Sequence, residues 1–252
     1  MDEDALLAER FAAVNDRIAR ALARSGRQGR ASGGAPGGAC GPGLGLVAVS
    51  KTHPAPVVAA LVDCWNRAGN TLGNPILGES YVQEALQKMD DLRHLAPAPE
   101  WHFIGHIQSR KARDIAGRFS LVHSLGSEKV ALALRNSLPQ GASQPVLVQV
   151  NLGREAQKSG VLPEKLEETL NLLQGLPGLP VRGLMCLPPY DANPERSRPF
   201  FVALRTLAEE MRTRTGLPLA LLSMGMSHDL EVAIEEGATL VRVGTDIFGA
   251  RE

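Results

Sequence analysis

From Leu46 onward the chain alternates short apolar runs with longer segments whose apolar residues recur near every 3.6 positions, and this alternation constrains the fold more than any other feature. The runs are LVAVSK from Leu46, NPILGE from Asn74, WHFIG from Trp101, LVHSL from Leu121, VLVQVNL from Val146, VRGLMCL from Val181, ALLSM from Ala220 and TLVRVG from Thr239. Between them lie APVVAALVDCWNRAG, SEKVALALRNSL, PEKLEETLNLLQGL, RPFFVALRTLAEEMRTRTG and SHDLEVAIEEGA, each with one apolar stripe. A parallel strand pair needs a crossover of helix length, and parallel strands covered on both faces read as continuous apolar runs. Roughly eight such βα units close a TIM (β/α)8 barrel, so the expected fold class is α/β, with one barrel domain over 46–252.

Two segments precede the barrel. Residues 1–24 carry Leu6, Phe11, Val14, Ile18 and Leu22 on one stripe, which predicts an amphipathic helix packed on the barrel. Residues 25–45 are rich in Gly, Ala and Ser with almost no large apolar side chain, and are expected to form a flexible loop. A Gly-rich stretch with arginines can bind phosphate, but no P-loop Lys-Ser/Thr follows it.

The 252 residues balance 27 basic against 27 acidic side chains with no dense basic run, which argues against nucleic acid and an anionic membrane surface as partners. The amino terminus opens acidic and lacks a signal-peptide pattern, and no long uncharged apolar stretch predicts a membrane span. Cys40, Cys64 and Cys186 are odd in number and match no metal or redox spacing. A cytoplasmic setting and a small-molecule partner are expected.

In a TIM barrel the C-terminal strand ends form the active face, with phosphate groups commonly at the loops after strands seven and eight. That geometry puts Lys51 at the mouth, on the end of the first strand. After the seventh strand, Ser223, Gly225 and Ser227 lead into a helix, and Ser227 suits either a helix cap or a phosphate contact. On the eighth, alternation points Leu240, Arg242 and Gly244 one way and Val241 and Val243 the other, so Arg242 faces inward. A buried guanidinium needs acceptors; a carboxylate such as Glu79 is one candidate and a ligand is another. Gly244 and Thr245 add close backbone approach and a hydroxyl. Together these groups describe a site for a phosphorylated aldehyde held as a Schiff base, with pyridoxal 5′-phosphate the obvious candidate.

The segments VAVSKTHP, GESYVQEA, WHFIGHIQSRK, VLVQVNLGREAQKSG, VRGLMCLPP and LSMGMSHDLEVAIEEGATLVRVGTDIFGARE resemble, in order, those of the pyridoxal phosphate homeostasis family, also called the proline synthetase co-transcribed homologues. The resemblance covers nearly all of 46–252 and leaves the Gly-rich loop outside. It implies a monomeric single-domain barrel like the amino-terminal domain of alanine racemase, the type III fold among enzymes of this cofactor. It also implies cofactor attachment at Lys51, phosphate contacts from Ser227, the Met226 backbone, Gly244 and Thr245, and Arg242 near the pyridine nitrogen. Ser80, Asn151, Ser223 and His102 are further candidates. Ser80 stands where the family usually has asparagine, Leu77 where it has phenylalanine, and Arg110 replaces an asparagine in QSRK. The loop AGNTLGNPILGE looks about four residues longer than is usual. His102 and His106 share a face in WHFIGHIQ, where a packing and hydrogen-bonding role is favoured over a place in the site, and Lys158 is expected in solvent.

An arginine at the pyridine nitrogen favours the unprotonated ring and weakens carbanion stabilisation. The tyrosines are Tyr81 and Tyr190, and no racemase-type β-domain follows the barrel in this sequence. The expected function is a non-catalytic carrier in cofactor homeostasis, with cofactor-dependent client enzymes as possible partners. A racemase and a Schiff-base aldolase are the alternatives.

Overall fold

The computed structural model describes residues 3–26, 43–68 and 73–250. Most of the Gly-rich stretch, with Cys40, and residues 69–72 of the long loop lie outside the described residues. Eight parallel strands close into a barrel in chain order. They are β1 (Gly45–Val49), β2 (Ile76–Glu79), β3 (Glu100–Phe103), β4 (Leu121–Leu125), β5 (Val146–Val150), β6 (Val181–Cys186), β7 (Leu221–Met226) and β8 (Leu240–Val243). Closure is made by β1 on β8, with Val47 opposite Arg242. The helices are α1 (Glu3–Arg24), α2 (Ala55–Arg67), α3 (Val82–Asp91), α4 (Ala112–Ile115), α5 (Glu128–Ser137), α6 (Leu166–Gln174), α7 (Arg198–Thr215), α8 (Leu230–Glu235) and α9 (Thr245–Phe248). No helix among the described residues is long and apolar enough to cross a membrane.

Alternation along the strands sorts their side chains into two cores. Val47, Ile76, Leu121, Leu147, Met185 and Leu240 plug the barrel interior, while Leu46, Ala48, Leu77, Val241 and Val243 join the helices in an outer layer. Full burial of each Val, Leu, Ile or Met among them stabilises the fold by roughly 1.5–3 kcal/mol before chain entropy is set against it. Above the apolar plug the inward positions turn polar, and the candidate site begins there.

The amino-terminal helix α1 buries Leu7, Phe11, Val14, Ile18, Ala21 and Leu22. The seat at its start is taken by Leu7, with Leu6 only half-buried, because Leu7 lies four positions before Phe11 and so shares its face of the helix. Phe11 packs on Trp65 of α2 at 5.1 Å between ring centroids. Polar anchors flank this contact, with Arg10 Nη1 donating to Phe248 O at 3.3 Å and Arg24 Nε to Glu235 at 2.8 Å. The helix thus covers the side of the barrel where β8 meets β1.

Candidate functional site

Strand β1 ends at Val49, and the chain leaves it through Ser50 and Lys51 into a tight turn. Since Val47 faces the interior and Ala48 the outer layer, alternation carries Lys51 to the inner side of the mouth, where it is half-buried. The turn is conformationally costly: Thr52, a β-branched residue, has φ of 69°. A buried cluster on α3 holds it. Lys88 Nζ donates to Ser50 O at 2.6 Å, to Glu79 Oε1 at 2.8 Å and to Glu84 Oε1 at 2.6 Å. Ser50 Oγ donates to Glu79 Oε1 at 2.7 Å, and the Thr52 N–H to Glu84 Oε1 at 2.6 Å. The peptide groups before and after Lys51 are therefore tied to one set of charges.

Glu79 is fully buried and its Oε2 has no hydrogen-bond partner among the described residues. Burial pushes its carboxyl pKa up, and the bonds from Lys88 and Ser50 oppose that rise. Glu79 is not the partner of Arg242. Ile76 lies inside the barrel and Leu77 in the outer layer, so the β2 register turns Glu79 outward onto Lys88.

Arg242 is 3% exposed and points inward as alternation requires. Its Nη1 donates to Ser223 Oγ at 2.5 Å and its Nη2 to Cys186 O at 3.1 Å. Ser223 Oγ also meets His123 Nδ1 at 2.8 Å, and His123 Nε2 meets His102 Nδ1 at 3.0 Å. These side chains form one hydrogen-bonded chain across the barrel beneath the mouth. Desolvation holds His102 far below its ordinary value, at about 3, and pushes His123 well down, so both are neutral at physiological pH. His102 and Ser223 thus support Arg242 from below. His123 escaped the sequence reading; its signal is an inward position on LVHSL level with His102, Ser223 and Arg242, which only the strand register makes visible.

The turn after β7 differs from expectation in two respects. The residue at the N-cap of α8 is Asp229, not Ser227. Asp229 Oδ1 accepts the Met226 N–H at 2.8 Å while the Asp229 N–H donates to Met226 O at 3.1 Å. This reciprocal pair closes the turn and occupies the Met226 N–H that the resemblance assigned to phosphate. Ser227, freed from capping, stays half-buried at the rim. Gly225 precedes it at φ 89°, and a Cβ there would lie 2.5 Å from Ala233 Cβ, so α8 packs directly on this glycine. On the neighbouring strand Gly244 stands at the start of α9, followed by the exposed Thr245. Met226 is opposite Arg242 in the ladder, which brings the ends of β7 and β8 side by side.

Other candidates fall at the margin. Ser80 and Lys51 line a cavity of about 620 Å³ together with Tyr81, His106, Gln108 and Lys111. Gly105 abuts Ser80 so closely that a Cβ would lie 2.2 Å from its carbonyl oxygen. The Asn151 amide is engaged by its own loop: Nδ2 donates to Glu155 O at 3.0 Å and Oδ1 accepts the Glu155 N–H at 3.3 Å. Asn151 therefore shapes the loop after β5 through side-chain bonds to the backbone four residues on. Lys158 is not simply solvated; it pairs with Glu155 at 2.5 Å and donates to Pro188 O at 3.1 Å, joining the loops after β5 and β6. His106 is exposed and bonds Ser159 Oγ at 2.7 Å.

Residues 40–252 match the family described as alanine racemase, N-terminal domain. The pyridoxal phosphate homeostasis protein of Aquifex aeolicus is 41% identical over 245 residues, 97% of this chain and 98% of that protein. Its counterpart in Escherichia coli K12 is 36% identical over 251 residues, 98% and 97% of the two chains. Among solved structures, PipY of Synechococcus elongatus PCC7942 with PLP bound is 33% identical at a TM-score of 0.77, covering 96% of this chain and all 100% of that one. Alanine racemase from Corynebacterium glutamicum shares the fold at 18% identity and a TM-score of 0.62, with 94% of this chain and 61% of that chain covered. This chain belongs to the alanine racemase N-terminal domain family and, within it, to the pyridoxal phosphate homeostasis proteins.

Proposed function

We propose that this protein binds pyridoxal 5′-phosphate reversibly, as a Schiff base on Lys51, and serves intracellular homeostasis of that cofactor without turning over a substrate of its own. The observation that carries the reading is the position of Lys51. A lysine at the mouth of the barrel is anchored on both sides by the buried Lys88 cluster, on the face that also carries Ser227, Gly244 and Thr245.

The donor set fits the group. An anionic phosphate suits the hydroxyls of Ser227 and Thr245 and the close backbone approach at Gly244, where a Cβ would lie 3.3 Å from Val49 Cβ. When bound, the cofactor supplies an electrophilic aldehyde and a ring that accepts electron density. Lys51 supplies the amine. Arg242 offers only N–H donors to the ring-nitrogen side, and its charge favours an unprotonated ring that stabilises carbanions weakly.

The histidines below do not supply acid/base chemistry at neutral pH, because both are buried, neutral and engaged in the chain that ends on Arg242. Tyr81 and Tyr190 are 56% and 82% exposed, which suits solvent more than a closed proton-transfer site. On this reading the chain acts as a monomer in the cytoplasm and passes cofactor to the enzymes that need it.

The test is an absorbance titration with pyridoxal 5′-phosphate, followed by borohydride reduction and peptide mapping, on wild type and Lys51→Ala. Cofactor trapped on Lys51 and lost in the variant is expected. Sustained, Lys51-dependent racemisation of alanine or serine, well above free cofactor, would overturn the non-catalytic part.

A further inference from the structure

We propose that Arg17 of the amino-terminal helix is a positioning residue that clamps the two halves of the phosphate cup into register, so that selectivity for the phosphorylated aldehyde depends on α1. The inference rests on the cofactor reading above. Its basis is one guanidinium shared among three segments. Arg17 Nη2 donates to Ser227 O at 2.8 Å and Nη1 to Asp246 Oδ2. Nε and Nη2 grip Glu231 of α8 at 2.7 and 2.8 Å. Ser227 and Thr245 are the cup's hydroxyls, and Arg17 holds the carbonyl of the first and the neighbour of the second.

The barrel by itself does not fix these two loops against each other. Where β7 meets β8 the ladder register shifts between Ser223 and Met226 and its last pair is Met226 with Arg242, so the loops that begin at Ser227 and Gly244 lie beyond the last rung. A planar, always-charged fork with three acceptors at set angles imposes a relative position that a flexible ammonium does not. Pinning the Ser227 carbonyl also orients the next peptide plane, since a trans peptide turns the His228 N–H away from α1. Residues 214 and 229 positions along the chain from Arg17 supply the carboxylates, hence the clamp closes only once the whole barrel has formed.

The experiment uses the full chain with three probes: inorganic phosphate, pyridoxal 5′-phosphate, and pyridoxal, which reaches Lys51 without a phosphate. Arg17→Met should weaken phosphate and pyridoxal 5′-phosphate by about tenfold and leave pyridoxal uptake unchanged. Arg17→Lys should restore only part of the loss. Arg24→Met, which removes an α1 anchor to Glu235 without touching the cup, should change none of the three. If Arg17→Met folds poorly, Asp246→Ala removes the arm to α9 alone and should show a smaller loss of the same selectivity. Equal losses for both aldehydes, or undiminished phosphate affinity in Arg17→Met, overturn the clamp. Wild type that takes up phosphate but no aldehyde on Lys51 overturns the cofactor reading instead, and loss of phosphate in Arg17→Met then still supports the clamp. Wild type that binds neither overturns both.

Discussion

Lys88 is 4% exposed and lies between two carboxylates, one of them fully buried. Desolvating an ammonium costs several kcal/mol, and here three short acceptors offset that cost. Removing it would leave Glu79 buried without its cation. Lys88→Met is therefore expected to destabilise the protein by about 3–5 kcal/mol in chemical denaturation. The double variant Glu79→Gln, Lys88→Met should recover much of this, because no charge is then stranded; additivity would show that the pair is uncoupled. The place of Lys51 at the barrel mouth was legible in sequence, as a lysine at the end of an apolar run has a defined position once the barrel is inferred. Its support was not. Glu79 looked available to Arg242 because which face of β2 it occupies depends on register, and Lys88 looked like any helix lysine. Arg17 was invisible for a similar reason: it lies off the apolar stripe of α1, and its partners are far away in the sequence.

At the scale of elements, the strands were legible because both of their faces are buried, which produces continuous apolar runs. Their ends were less so. WHFIG reads from Trp101, whereas β3 begins at Glu100 and closes at Phe103, since pairing with β2 decides the boundary. Element ends also set the proposed phosphate cup. The β7 strand runs directly into a turn that Gly225 makes possible, with its left-handed backbone and contact on Ala233. Gly225→Ala should lower stability by about 2 kcal/mol or more through backbone strain and the clash together, read as a drop in Tm. It should also weaken phosphate binding, because α8 can move only by carrying Ser227 with it. The paired hydroxyl variants, Ser227→Ala and Thr245→Ala, should lose phosphate affinity with little change in Tm, as both side chains sit at the rim. Unchanged phosphate binding in the double variant would place the cup elsewhere.

The whole molecule carries its polar chain through the barrel centre, and this gives folding a pH dependence whose sign can be worked out. Unfolded histidine takes up a proton near pH 6.5, while folded His102 resists until about 3 and His123 is likewise pushed well down. A depressed folded value means that the stabilising difference is present above pH 6.5 and is lost as pH falls below it, because the unfolded chain then binds protons that the folded one refuses. Each histidine should remove about 1.4 kcal/mol of stability per pH unit across that window. Other groups act elsewhere or oppositely. Glu231, Glu235 and Glu195 have lowered values, so their contribution is lost only near and below the ordinary carboxylate range. Glu79, raised by burial, favours folding more as it becomes protonated and offsets part of the loss. Between pH 6.5 and 5 the two buried histidines should dominate. Denaturation midpoints measured across this interval should fall for wild type, and His102→Gln should flatten the slope by about one proton. A variant as steep as wild type would mean that folded His102 already accepts a proton there, which a neutral relay ending on Arg242 does not allow.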